Sequence, residues 1–270
     1  MEKFVSACGI PVRIATQGDN KDKRQAVVLL HGYLESLEIW EDLSKALGAV
    51  CYTVCFDMPG HGFSGTRPEA NTMEFMADVV EDLCRQLGVE KCLLVGHSMG
   101  GYASLAFAKK YPQMLAGICL LHSSPNADTE EKRVNRDREI TLIQSGRKAL
   151  LVTTAISNMF AQANLQRMAN RIMELEVNAN IADNEGVISC IRGMKEREDL
   201  NDMLAKLDKP TMLILGKADK YIAWESAEAL MERLPKAKKL VLENSGHCGF
   251  FEEPEVVKNG LLEFISSVFA

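Results

Sequence analysis

Six short apolar runs punctuate this chain, and each stops at a glycine or a polar residue: "AVVLLHG" (26–32), "CYTVCFD" (51–57), "KCLLVG" (91–96), "AGICLLHSS" (116–124), "TMLILG" (211–216) and "KKLVLEN" (238–244). Continuous apolar runs of this length are strands buried on both faces. Between them the apolar residues fall at helical spacing, over 36–48, 72–88, 99–110, 223–234 and 253–269, with Thr72 a candidate N-cap. Strands that alternate with amphipathic helices predict an α/β fold, a mostly parallel sheet with helices on both faces. At the start, "KFVSA" and "VRIATQ" flank a turn at Cys8-Gly9-Ile10-Pro11, so an antiparallel hairpin is expected at one edge. In open parallel sheets the chemistry sits beyond the C-terminal ends of the strands. The polar residues that close these runs lie there.

The pattern breaks between Pro125 and Pro210. The 84 residues between them hold no proline, three glycines and one aromatic, Phe160. They read as three to five helices without a strand, which makes 126–209 a helical cap over the C-terminal edge of a core formed by 1–125 and 210–270. A long crossover with extra helices is the alternative. The methionines of this region (159, 168, 173, 194 and 203) have helical spacing and belong either to an apolar pocket or to plain core.

Composition removes several classes. At 270 residues and 47% hydrophobic, the chain is long enough for one sizeable core. Its formal charge of -6, with signs mixed, lacks the basic face of a nucleic-acid binder. No apolar leader opens the sequence and no apolar run would span a bilayer, so a cytoplasmic chain is expected. The eight cysteines stand singly, without a CxxC pair, which fits free thiols and neither a disulfide framework nor a metal site. Cys248 is singled out only because it follows His247.

"LLVGHSMGG" carries the chemistry. Gly96-His97-Ser98-Met99-Gly100 fits G-x-S-x-G, after a strand and before a helix, the context in which this motif aims a serine outward. A turn that tight has no room for side chains two residues before or after the serine. A serine hydroxyl needs a general base. Of the five histidines, His97 adjoins Ser98 and points away from it, His31 and His61 sit in loops that they brace, and His122 ends a strand as a pocket or packing residue. His247, in the polar loop "ENSGHCGFFEEPE", is free to reach back over the sheet edge. The imidazole needs an acid to hold its tautomer, and Asp219, three residues past "TMLILG", is the candidate. Asp57 competes, but its Pro-Gly-His-Gly sequel reads as a structural turn. The order Ser98, Asp219, His247 is the one described for this elbow. Two backbone N–H groups, of Tyr33 and Met99, are the candidate donors to an oxyanion.

With "HGYLES", "DMPGHGFS", "GHSMGG", "GKADKYI" and "SGHCGFFEEPE" in order, the chain resembles the α/β-hydrolase family, most closely its small esterases, lactonases and haloperoxidase-like members. The resemblance implies an eight-stranded sheet with a helical cap inserted after the sixth strand. It also implies a serine hydrolase that cleaves carboxylic esters of small to medium acyl substrates through an acyl-enzyme on Ser98, with no cofactor. Lactone, thioester or C–C hydrolysis by the same triad, or slow-turnover ligand sensing, are the alternatives. The oligomeric state is not legible.

Overall fold

The computed structural model describes residues 1–18 and 24–270. Its single sheet contains β1 (Glu2–Ala7), β2 (Ile10–Gln17), β3 (Gln25–Leu30), β4 (Thr53–Phe56), β5 (Lys91–His97), β6 (Leu115–Leu121), β7 (Thr211–Gly216) and β8 (Lys238–Leu242). The strand order is β1-β2-β4-β3-β5-β6-β7-β8. β2 runs antiparallel to β1 and β4, and every other pair is parallel. The hairpin turns on Cys8 (φ 48) and Gly9 (φ 81), the left-handed pair of a two-residue loop whose twist matches the strands.

The central strands are buried without alternation. Ala26 to Leu30 of β3 and Cys92 to His97 of β5 are all inaccessible, so both faces of the sheet are covered. The covering helices are α1 (Glu41–Gly48), α2 (Met73–Gln86), α3 (Met99–Lys110), α9 (Trp224–Arg233) and α11 (Pro254–Val268). In α2, Met73, Met76, Val80 and Leu83 turn one stripe into the core, and Thr72 Oγ1 accepts from the Phe75 amide at 3.2 Å. A cap of this kind contributes about 1 kcal/mol.

Between β6 and β7 lie α4 (Glu130–Gln144), α5 (Lys148–Asn158), α6 (Ala169–Ile181), α7 (Asn184–Glu196) and α8 (Asn201–Ala205), with no strand among them. The helix expected over 253–269 is preceded by a short turn of helix, α10 (Gly249–Glu252), and separated from it at Glu253 (φ -131, ψ 59), because Pro254 excludes the helical conformation from the residue before it. The helix expected over 36–48 begins as a 3-10 turn, Leu37–Trp40, before α1. No helix of the described residues is long and apolar enough to cross a membrane.

Register fixes the site. Gly96 of β5 sits beside Leu30 of β3 and Leu120 of β6, Leu121 pairs with Ile214 of β7, and Gly216 pairs with Leu242 of β8. The loops after these strands therefore emerge side by side along one edge of the sheet.

Candidate active site

The turn from β5 into α3 places Ser98 at φ 49, a backbone conformation that L-residues seldom adopt. A Cβ on Gly96 would lie 2.4 Å from the Gly100 carbonyl oxygen, and one on Gly100 would lie 2.2 Å from that of Leu30. Only glycine fits at either position. Ser98 N donates to the Leu121 carbonyl at 3.1 Å, and Ser123 Oγ donates to the Ser98 carbonyl at 2.7 Å, so the strained residue is held from both sides. Its side chain opens at the N-terminus of α3, where the helix dipole favours negative charge.

His97 points the other way, under the sheet edge. Its Nδ1 lies 2.8 Å from Glu35 Oε2 and its Nε2 lies 2.9 Å from the His247 carbonyl oxygen. Both partners are acceptors, so both ring nitrogens carry protons. Burial alone would lower the His97 pKa, but Glu35 outweighs it and His97 stays above the ordinary histidine value. Glu35 Oε2 also accepts from the Gly32 amide at 2.5 Å. The loop after β3 and the loop carrying His247 are thereby joined through one buried ion pair.

His247 Nδ1 meets Asp219 Oδ2 at 2.7 Å, and both side chains are almost wholly buried. The backbone of the histidine is fixed too, with His247 N and Cys248 N donating to the Met159 carbonyl at 2.6 and 3.1 Å. Asp219 Oδ1 accepts from the amides of Tyr221 and Ile222 at 2.8 and 3.0 Å. Burial opposes its ionisation, yet the two neighbouring imidazoles, His247 and His122, hold its pKa far below the ordinary carboxylate value. The competitor Asp57 is engaged elsewhere. It accepts from Arg13 Nε at 2.7 Å and from the amides of Leu37 and Phe63, each at 2.8 Å. Cys248 is buried, and burial pushes its thiol well up, away from nucleophilic use.

Ser98, His247 and Tyr33 line one cavity of about 250 Å³, with Tyr102, Met159, Met194 and Tyr221 among its other walls. Among the described residues Ser98 Oγ makes no hydrogen bond to the imidazole. Such contacts commonly close only when a substrate fills the site. The amides flanking Tyr33 are occupied, Gly32 N by Glu35 and Leu34 N by His61 Nε2 at 3.1 Å. Of the five methionines, Met159 and Met194 face the cavity, Met168 packs beside Phe250 and Phe251, Met203 lies against the core, and Met173 is exposed.

Glu35, and the bond that His122 makes as the pocket or packing residue expected at its strand end, escape a reading of the sequence alone. Glu35 lies inside "HGYLES", where a carboxylate three residues after Gly32 is a loop residue by any propensity. His122 closes β6 with its Nδ1 3.3 Å from Asp219 Oδ2, a partner 97 residues away. A polar residue capping an apolar strand was the only local signal for it.

A family model described as alpha/beta hydrolase fold matches residues 25–254. The structure of a thermophilic esterase from Thermogutta terrifontis, with malate bound, superposes with a TM-score of 0.93 at 28% identity, covering 100% of both chains. A monoacylglycerol lipase, ABHD6 of Bos taurus, is 26% identical over 260 residues, spanning 91% of this chain and 76% of the relative. A putative carbamate hydrolase, RutD of Pseudomonas savastanoi pv. phaseolicola, is 26% identical over 245 residues, spanning 89% of this chain and 93% of the relative.

Proposed function

Because the chain belongs to the alpha/beta hydrolase fold family, we propose that it is a serine hydrolase that cleaves carboxylic esters of small to medium acyl substrates. The observation that carries this is the 2.7 Å contact between His247 Nδ1 and Asp219 Oδ2 beside a strained Ser98 on the same cavity. With Nδ1 committed to Asp219, Nε2 is the nitrogen that serves Ser98. Ser98 Oγ bonds to the ester carbonyl carbon as its proton passes to His247 Nε2, and the carbonyl π pair moves onto oxygen. The amides of Met99 and Tyr33 receive that oxyanion, each contributing about 3 kcal/mol in the transition state. Collapse breaks the bond to the alkoxy oxygen, which leaves with the proton from His247. Water then adds to the acyl-enzyme by the same steps and frees the acid and Ser98. All groups required are side chains and amides of the chain itself.

The helices of 126–209 are the cap of this reading, set over a core of 1–125 and 210–270. They supply Met159 and Met194 to the cavity wall. A cavity of about 250 Å³ suits a short acyl chain better than a long one. The eight free thiols fit a reducing, cytoplasmic setting. The esterase and lipase relatives support ester chemistry. Hydrolysis of lactones, thioesters or C–C bonds uses the same groups, and a panel of such substrates separates them.

The test is labelling with a fluorophosphonate probe together with p-nitrophenyl acetate turnover. We expect one modified site, Ser98, and many turnovers. Ser98→Ala should lower kcat by about 10⁵-fold or more with an unchanged circular dichroism spectrum. Near-native turnover in that variant would refute the assignment, and labelling with a single turnover would favour a ligand sensor.

A further inference from the structure

His122 is a second imidazole on the acid, and the proposed triad leaves it unused. Its position is built with care. The residue sits at φ 47, the left-handed region that a non-glycine residue enters only under compensation from its surroundings. It is completely buried. Its Nε2 accepts from the Gly249 amide at 3.3 Å, and its Nδ1 lies 3.3 Å from Asp219 Oδ2. A Cβ at Gly249 would lie 2.2 Å from Leu242 Cδ1 and 2.6 Å from His122 Nε2, so a side chain there would displace the ring.

These contacts fix the tautomer. An amide N–H can only donate, so Nε2 is bare and the proton sits on Nδ1. Nδ1–H then donates to Asp219 Oδ2, the oxygen that also receives His247 Nδ1. With the Tyr221 and Ile222 amides on Oδ1, the carboxylate accepts four N–H groups.

We propose that His122 is a positioning residue that donates from Nδ1 to Asp219, and that it thereby limits how strongly Asp219 binds the proton-bearing form of His247. A donor on a carboxylate disperses its charge. A carboxylate so satisfied holds an imidazolium less tightly. Burial supports the neutral state of His122, lowering its pKa to about 4, so the donor stays uncharged across the working range. The other groups facing His247 are Tyr221 at 5.0 Å between ring centroids, His97 at 4.9 Å with its partner Glu35, and, across the cavity, Lys132, Arg136, Glu139 and Lys220. None of them donates to Asp219 from its side chain.

The inference rests on the hydrolase reading only for the catalytic readout. In the whole, unmodified protein, nitrogen-15 histidine NMR at neutral pH should show His122 protonated on Nδ1 alone. A proton on Nε2, or on both nitrogens, overturns the proposal. Two variants test the consequence. His122→Leu removes the donor. His122→Asn places an amide N–H where Nδ1 was, and asparagine tolerates positive φ. We expect the acid limb of the kcat/KM profile for p-nitrophenyl acetate to move up by about 0.5–1 pH unit in His122→Leu. In His122→Asn it should stay within about 0.2 unit of the parent. An unmoved limb in the leucine variant, or equal shifts in both, overturns the role. Should the leucine variant not fold, the tautomer measurement decides alone. Should no ester be turned over and Ser98 stay unlabelled, the hydrolase reading fails separately, and the NMR titration of His247 in the parent and both variants replaces the rate profile with the same expected shifts.

Discussion

At the scale of single residues, the Glu35–His97 pair is the least expected part of the site. It has no access to solvent, and it links the Gly32 amide to the His247 carbonyl through one imidazolium. One oxygen, Glu35 Oε1, is buried without a hydrogen-bond partner, so this carboxylate is kept for its charge and for Oε2 alone. Glu35→Gln removes the charge and leaves the shape. His97 then holds one proton at neutral pH, and either its Nε2 meets the His247 carbonyl with nothing to donate or, with the new amide turned to donate to Nδ1, the Gly32 amide loses its acceptor. Leaving such a group unsatisfied costs about 1–3 kcal/mol, which lowers Tm by about 5 °C in a chain of this size. Because the pair fixes both the loop of Tyr33 and the loop of His247, kcat/KM for an ester should fall about tenfold as orientation is lost. Calorimetry and a rate assay check both effects. An unchanged Tm would mean that the pair is neutral, against the protonation that its two acceptors require.

Among the elements, α7 decides how the helices of 126–209 sit on the sheet. Its Gly193 faces the loop before α2 so closely that a Cβ would lie 1.9 Å from the Asn71 carbonyl oxygen. One turn earlier, Ser189 Oγ accepts from the Asn71 amide at 2.9 Å and donates to the Glu69 carbonyl at 2.6 Å. Backbone cannot retreat as a flexible side chain does, so Gly193→Ala must push α7 away. The expected result is a loss of about 1–3 kcal/mol in stability and faster proteolysis within 126–209, with the sheet still protected. A variant as stable and as resistant as the parent would show that this seam yields freely. The same comparison marks what the sequence disclosed. The strands were legible because burial on both faces leaves a run of apolar residues with no periodicity to misread. The elbow was legible because glycines at 96 and 100 are forced by local geometry. His247 and Asp219 could be chosen from their places after strands. Glu35 and Glu252 could not, nor could the bond of His122 to Asp219, because these partners lie far along the chain and no local pattern distinguishes a carboxylate that bonds a distant group from one in water. Glu252 shows this well: it accepts from Ala161 N at 2.8 Å and Asn164 Nδ2 at 2.7 Å with one oxygen and from Gly246 N at 2.7 Å with the other, joining the helices of 126–209 to the His247 loop.

For the molecule as a whole, the layer of buried histidines at the strand ends sets how folding responds to acid. His31, His61 and His122 are held below the ordinary histidine value, each chiefly by burial, His61 to about 3 and His122 to about 4. His97 is raised, because Glu35 outweighs its burial. The signs oppose one another. A histidine whose pKa is lowered on folding takes up its proton near pH 6.5 when unfolded and much later when folded, so its contribution is lost as pH falls below about 6.5. A raised histidine contributes below that pH and loses its contribution as pH rises through its folded value. Three groups of the first kind outweigh one of the second, and the unfolded chain binds more protons from about pH 6.5 downward. Stability should therefore fall by about 3–5 kcal/mol between pH 7 and pH 5, before the carboxylates titrate, with a drop in Tm of about 10 °C. The decline should follow protons rather than salt, since these groups are buried and poorly screened. Thermal unfolding at several pH values and two ionic strengths checks this. A Tm at pH 5 equal to or above that at pH 7 would mean that the three imidazoles are charged inside the fold, contrary to the amides of Met58, Leu34 and Gly249 that donate to them.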